Sequence, residues 1–461
     1  MSKNFKIGLL DHLGGGNLGD DATLQAMIQN IKRRLPDAEM LGFSMNPSDT
    51  QTRHGIPAYP IRREKWDTSW GRATEGPRIG PRIKGALGRN RLLLRGLRII
   101  NSVIVRAPGS LFGELLFLLR SLRVLFSLDL LIISGGGQLL DSWGGPWKYP
   151  YTIFKWVALA RLSGTRCYVI NVGAGPLTHR LSNYFIRTAL HLSSYTSFRD
   201  QHSLALSRSA GFMRSSTVYP DTVYGLDVSA DTISRALRRQ AGPIVGISPM
   251  AYCDPRRYWH KDVETYRQFI CKLSLFAAQI VRDQYFVEIF STDIEFDTDA
   301  MGDLMQALTE NQEGICAGHV AHVATPGIEA LLSEISTMDY VVTCRFHGVV
   351  FAHLMNKPVL ALAHHQKVTS LMADLGLAEF CLDIRNLDPE SLLSAFTRMV
   401  EREGEIRDLM SQTVKRNRIL LEEQFDELFK GTTSLWSAQQ QGRSWTESVF
   451  SRRGPGRSCN G

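Results

Sequence analysis

The chain is 461 residues long, 44% hydrophobic and 21% charged, and its 53 Lys or Arg against 45 Asp or Glu give a formal net charge of +8. That length and apolar content exclude wholesale disorder, a collagen-like fibre and a small disulfide scaffold, and they suit two or three domains that each bury a core. The charge is uneven: residues 62–123 hold fourteen Lys or Arg and four Asp or Glu, so this segment carries +10 and the rest of the chain sums to −2.

The first element is a short apolar strand at 6–10, with no long apolar signal segment ahead of it. It ends in the loop Gly14-Gly-Gly-Asn-Leu-Gly-Asp-Asp, and apolar residues at helical spacing follow over 22–31. Strand, glycine loop and helix open a doubly wound α/β domain. The loop is neither the dinucleotide G-x-G-x-x-G fingerprint nor a P-loop. It reads either as an anion site built from backbone N–H groups or as a tight turn with Asp20 or Asp21 capping the helix.

Residues 62–123 start rich in Gly, Pro and Arg and become mixed apolar and basic, as in Leu92-Leu-Leu-Arg-Gly-Leu-Arg-Ile-Ile and Leu111-Phe-Gly-Glu-Leu-Leu-Phe-Leu-Leu-Arg. Apolar faces dotted with arginine suit a helix at an anionic membrane interface. The alternative is a solvated loop followed by core helices with arginine on the wet face. No nucleic-acid-binding module accompanies the charge, so nucleic acid is not an expected partner.

Buried parallel strands are predicted next at 128–134, 167–172 and 195–198, ending in Gly135-Gly136-Gly137, Gly173-Ala-Gly175 and Arg199-Asp200; helices at 147–163, 179–193 and 200–211 separate them. After Asp221 the alternation restarts. Strands are predicted at 243–248, 286–291, 340–343 and 358–362, with helices at 262–283, 299–310, 327–336 and from 348. This implies an α/β fold of two Rossmann-like doubly wound domains facing a cleft, with ligands at the carboxyl ends of the strands. The first domain covers 1–225 with 62–123 as a basic insertion, and the second covers 226–435. The Gln-, Ser-, Gly- and Arg-rich tail 436–461 is expected to be disordered.

The seven cysteines are scattered and never form C-x-x-C, which excludes a disulfide framework or zinc knuckle, and no metal set is visible. No apolar run of 18 residues escapes interruption by charge, so the expectation is a cytoplasmic chain without a spanning helix. The glycines at 135, 136, 173 and 175 are candidates for lining a cleft, against a role in helix packing. Cys344-Arg345-Phe-His347-Gly follows a strand, and a fixed cation beside a titratable imidazole suits binding an anionic group while moving a proton. Arg199 holds the equivalent place in the first half.

In order along the chain, Gly16-Asn17-Leu-Gly-Asp20-Asp21, Gly135-Gly136-Gly, Gly173-Ala-Gly175-Pro, Ser197-Phe-Arg199-Asp, Pro220-Asp221, Arg345-Phe-His347 and Lys367 resemble the polysaccharide pyruvyl transferase family. The resemblance implies a glycosyltransferase-B-like fold that transfers the enolpyruvyl carbons of phosphoenolpyruvate onto a sugar as a ketal, with no cofactor. The acceptor would be an exopolysaccharide or cell-surface glycan, or its lipid-linked precursor. Donor carboxylate and phosphate call for at least two cations: Arg199 and Arg345, with Lys367 as a third, beside the loops of Asn17, Gly135, Gly136, Gly173 and Gly175. His347 would be the general acid, and Asp20 or Asp21 would orient or deprotonate an acceptor hydroxyl. An anionic membrane touched through 62–123 would place the protein on the inner face of the plasma membrane. Two alternatives are a glycosyltransferase using a nucleotide sugar, with Glu329 on the ribose, and a non-catalytic peripheral component of a polysaccharide assembly complex.

Overall fold

The computed structural model describes residues 4–11, 15–63, 107–142, 144–229, 242–258, 260–310 and 318–451, the last stretch by backbone alone beyond 430, as for 107–111. Most of the basic segment, 64–106, lies outside the described residues, as do Gly14 and 452–461.

The first half alternates strand and helix: β1 (Lys6–Leu10), α1 (Leu18–Arg34), β2 (Glu39–Ser44), α2 (Pro47–His54), β3 (Ala58–Pro60), α3 (Ala107–Leu125), β4 (Leu130–Ser134) and α4 (Tyr149–Ser163). It continues through β5 (Arg166–Val172), α5 (Arg180–Leu192), β6 (Tyr195–Phe198), α6 (Gln201–Ser209) and β7 (Thr217–Val218). All seven strands are parallel, in the order β3-β2-β1-β4-β5-β6-β7. Leu-Leu-Ile-Ile-Ser of β4 is buried at every position, as a central strand covered on both faces requires.

After a single 3₁₀ turn at Thr222–Gly225 the second half repeats the scheme. It runs β8 (Ile244–Ser248), α7 (Val263–Arg282), β9 (Phe286–Ile289), α8 (Thr298–Glu310), β10 (Val320–His322), α9 (Ile328–Thr337) and β11 (Tyr340–Thr343). Then come α10 (Phe346–Leu354), β12 (Val359–Ala363), α11 (Gln366–Asp374), β13 (Cys381–Asp383), α12 (Pro389–Glu401) and α13 (Glu403–Ser451). Its parallel order, β10-β9-β8-β11-β12-β13, reverses at the same relative point as the first sheet. Two Rossmann-like sheets are therefore present. Their strongly apolar central strands were readable in the sequence, whereas the short or half-exposed edge elements β2, β3, β7, β10 and β13 were not.

Local chemistry explains where α1 begins. Asn17 accepts the Gly19 N–H at 2.9 Å, Asp20 and Asp21 occupy the first turn, and Lys32, Arg33 and Arg34 occupy the last, all favourable to the helix dipole. The helix thus starts at Leu18, inside the loop.

Two features join the halves. Leu18 N–H donates to Thr292 O at 3.0 Å and Ile294 N–H to Gly16 O at 2.9 Å, around an antiparallel bridge between Asn17 and Asp293. The second is α13, which leaves the second sheet, where Tyr340 Oη donates to Glu403 at 2.6 Å, and crosses onto the first. There Arg418 reaches the carbonyls of Tyr224 and Leu226, while Glu422 and Asp426 pair with Arg33 and Arg34. Buried Gln424 donates to Asn171 Oδ1 at 2.9 Å, Ser197 Oγ at 3.0 Å and Tyr195 Oη at 3.0 Å, and accepts from Asn171 Nδ2 at 2.9 Å. The backbone of this helix continues through 436 to Ser451, and the rest of the Gln-, Ser-, Gly- and Arg-rich tail lies outside the described residues. Among the described residues no helix is long and apolar enough to cross a membrane.

Replacing Gln424→Ala should lower the melting temperature distinctly, since each buried partner left unsatisfied costs about 1–3 kcal/mol. An unchanged melting curve would show that α13 does not clamp the first sheet.

Candidate active site

The carboxyl ends of both sheets face one another where their strand orders reverse, between β1 and β4 and between β8 and β11. In open α/β sheets this is where ligands bind. Three helix N-termini are brought there: α1 after β1, α10 after β11 and α11 after β12.

A buried trio forms the centre. Arg199 follows β6 and is capped from solvent, with only 3% of its side chain exposed. Its Nη1 lies 3.3 Å from Asp221 Oδ2 and its Nε 3.4 Å from Asp200 Oδ2, and the guanidinium carbon sits 4.3 Å over the Phe346 ring. Asp221 Oδ2 also faces His347 Nε2 at 3.7 Å, ion-pair distance but too long for a full hydrogen bond. Burial works against ionising Asp221, but His347, Arg199 and the Val223 N–H together hold it at about 2. Glycines make the room. A Cβ on Gly173 would lie 2.6 Å from the Arg199 guanidinium, and one on Gly19 would lie 1.9 Å from His347 Nδ1.

Arg345 is engaged with carboxylates of the second half. It makes a bidentate pair with Asp297, at 2.8 and 2.7 Å, and its Nη2 lies 3.4 Å from Asp293. Asp297 is fully buried, so it needs a compensating cation, and Arg345 supplies one. Asp293 is raised well above the ordinary carboxylate range, by burial first, with Asp297 and Asp20 adding to it against Arg345. Neither aspartate stood out in the sequence. The available signal was position, since Thr292-Asp-Ile-Glu-Phe-Asp297 follows a strand of the second sheet at its carboxyl end. Asp221, quoted in the resemblance without a role, was likewise missed as the centre of the trio.

Lys367, in the first turn of α11, lies within electrostatic reach of Arg199 and Arg345 on one side and Asp20 and Asp200 on the other. Burial and the two guanidinium groups pull its pKa down to about 8. Among the described residues no carboxylate lies within ion-pair distance of its ammonium. Beside it, His365 caps α11 by accepting the Lys367 N–H at 3.3 Å, and burial together with Lys367, His202 and Arg199 pushes the imidazole down to about 4. The N-terminus of α10 has no side-chain cap, which leaves its first-turn N–H groups facing the same cleft.

The loop residues separate into two groups. Asp20 faces Asp293 and Lys367. Asp21 turns the other way, to His54 Nε2 at 3.4 Å and Arg53 Nη1 at 3.6 Å, and borders a cavity of about 510 Å³ with Gln25, Gln29, Asp227 and Glu329. Asn17 caps α1 and pairs with Asp293. The glycines expected to line a cleft are taken up by side-chain packing. Gly135 and Gly136 have φ of 50° and 62°, and a Cβ on Gly135 would lie 2.1 Å from Thr23 Cγ2. At Gly136 the neighbour would be Asp11 Oδ1 at 3.3 Å, and at Gly175 it would be Leu140 at 2.9 Å.

A profile of the family described as polysaccharide pyruvyl transferase matches residues 17–366, which contain every one of these groups except Lys367. The chain belongs to that family. It is therefore a transferase. No curated protein sequence matches it significantly. Among solved structures it is similar to UDP-GlcNAc 2-epimerase from Methanocaldococcus jannaschii, with 10% identity over 86% of this chain and 93% of that one at a TM-score of 0.54. It is also similar to UDP-GlcNAc 2-epimerase from Neisseria meningitidis, with 12% identity over 88% and 93% at a TM-score of 0.52. At such identities the likeness establishes the fold, two Rossmann-like domains of glycosyltransferase-B type, and nothing about substrate.

Arg345→Ala should cost about 3–5 kcal/mol of stability, because it strands the buried Asp297 charge. Lys367→Met should leave the melting temperature nearly unchanged. Comparable thermal melts for the two variants would mean that Arg345 is not held for structural pairing.

Proposed function

We propose that the donor is phosphoenolpyruvate and that the pyruvyl group goes to a sugar of an exopolysaccharide or cell-surface glycan, or of its lipid-linked precursor, as a ketal. The observation that carries this reading is the Lys367 ammonium, unpaired among the described residues, beside the uncapped N-terminus of α10. Buried guanidinium groups matched by carboxylates have little charge to spare; a lysine depressed by burial and by its cationic neighbours gains from an arriving dianion. The donor phosphate and carboxylate would lie across Lys367 and the α10 N–H groups, with Arg199 behind them.

In the reaction a proton is added at the methylene carbon, turning it into a methyl group and making C2 electrophilic. A first sugar hydroxyl attacks C2, the C2–O bond to phosphate breaks, and a second hydroxyl closes the ketal. Each hydroxyl gives up its proton. His347 is the proposed proton donor, its Nε2 facing the buried Asp221 carboxylate at 3.7 Å. Asp20 is the better placed of the two loop aspartates to take a hydroxyl proton, since Asp21 is turned to His54 and Arg53.

Inorganic phosphate should be released from phosphoenolpyruvate only when a suitable glycan acceptor is present, and calorimetric titration should detect phosphoenolpyruvate but not uridine or guanosine diphosphate sugars. Binding of the nucleotide sugars alone would favour the glycosyltransferase reading. His347→Ala should lower kcat by roughly 10²–10⁴-fold, and full turnover would remove this residue from the chemistry.

The Lys367 charge is present below about pH 8 and lost above it. The KM for phosphoenolpyruvate should therefore rise as pH climbs from 7 to 9. In Lys367→Met it should be raised roughly tenfold or more already at pH 7, with the alkaline rise abolished. A wild-type KM flat across that range would place the donor elsewhere.

A further inference from the structure

Helix α3 carries a surface that the proposed reaction does not use. Its inner face is anchored: Phe117 stacks on Tyr59 with ring centroids 6.0 Å apart, stands edge-on to Trp156 at 6.5 Å, and has Lys155 Nζ 4.9 Å above it. Its outer face carries Phe112, Leu115 and Leu119, which are 64%, 52% and 55% exposed. Phe126, one residue past the helix end and still bonded to Leu122 O, is 63% exposed. Spaced three, four and seven apart, these side chains form a single ridge about 20 Å long.

A surface helix normally presents its apolar stripe inward and polar residues outward. This one is apolar on both sides, with exposed Arg123 beside the outer ridge and exposed Arg120 on the flank of the helix. Trp147, also mostly exposed, stands nearby: Arg62 donates to its carbonyl at 2.5 Å, and Arg63 Nε lies 4.0 Å from Glu114 on α3.

We propose that this face docks on an anionic lipid bilayer. Apolar side chains would enter the interface while arginines at the same level extend their charged ends to lipid phosphates. The occupant is chosen by charge. The 43 residues that lead into α3, 64–106, hold ten Lys or Arg and three Asp or Glu, a net +7. An anionic membrane attracts such a segment at roughly 1 kcal/mol per basic residue close to its surface. A second copy of the chain would instead bring two +7 segments together, so the ridge is poorly suited to self-association. With no helix among the described residues able to span, the contact is peripheral.

Sedimentation of the full chain with vesicles tests this, independently of the donor or acceptor. The protein should pellet with phosphatidylcholine vesicles containing about a third phosphatidylglycerol, should release in about 0.5 M salt as charge is screened, and should ignore pure phosphatidylcholine. The double variant Leu115→Glu/Leu119→Glu should bind the anionic vesicles roughly tenfold more weakly or worse, with an unchanged thermal melt because both side chains are exposed. Three results would overturn the proposal: no binding by the wild type, equal binding by the double variant, or a wild-type dimer in analytical ultracentrifugation that the double variant converts to monomer.

Discussion

A buried carboxylate at the end of the first half holds the cleft together. Asp221 follows β7 and opens the 3₁₀ turn that leads into the second half; one of its oxygens takes the Val223 N–H at 3.0 Å. The other faces a group from each half, the Arg199 guanidinium at 3.3 Å and the His347 imidazole at 3.7 Å. Removing a carboxylate from water costs several kcal/mol unless opposite charge and hydrogen bonds replace the solvent. Here the Arg199 guanidinium and the Val223 N–H supply that replacement from the first half, while the His347 ring of the second half closes over the same carboxylate. The bare face of Gly19, pressed on the His347 ring, and the backbone bonds from the α1 loop to 292–294 act in the same sense. The cleft is thus a closed arrangement whose electrostatic centre is shared between domains.

The same accounting applies to every buried charge near it, and it explains why the cations are not equivalent. Asp297 has no exposed surface and takes both the Arg345 guanidinium and the Ala251 N–H. Asp293 is buried and shares Arg345 with Asp297, so burial first and the neighbouring carboxylate second raise its pKa. Arg199 is divided between Asp200 and Asp221. Lys367 alone of the three cations expected from the sequence stays outside ion-pair distance of the described carboxylates, and the positive field of the other two reaches it. Anion affinity in such a site comes from the charge left after internal matching, not from the number of basic residues lining it.

This also marks how far the sequence could be read. Central strands were legible because they are continuous apolar runs, and the site's location was legible because Gly135, Arg199 and Arg345 each stand just past a strand end. Partners were not. That Arg345 would meet Asp297, 48 residues earlier, or that Asp20 and its neighbour Asp21 would face opposite ways, depends on which helices pack together. The glycines were expected to line a cleft or to pack helices, and the side chains that approach them are Thr23 at Gly135, Arg199 at Gly173 and Leu140 at Gly175. The C-terminal helix was obscured for a related reason. Its decisive residue, Gln424, is ordinary on a surface and informative only once Asn171, Ser197 and Tyr195 surround it.

The uneven distribution of charge then has a physical sense. The regions that build the two sheets are close to neutral as a whole, and most of their buried charges face opposite charges nearby, which leaves little long-range field to recruit an anionic surface. The excess is concentrated in one segment that leads into α3, and α3 is fixed to the first half by Phe117 against Tyr59 and Trp156. Attraction to a membrane would therefore act on the half that contributes α1 and Asp20, without competing with Lys367 and the α10 N-terminus for the small anionic donor. If both proposals hold, separating the two positive regions would let one chain hold a soluble phosphate ester and a charged surface at the same time, each through groups that the other ligand does not reach.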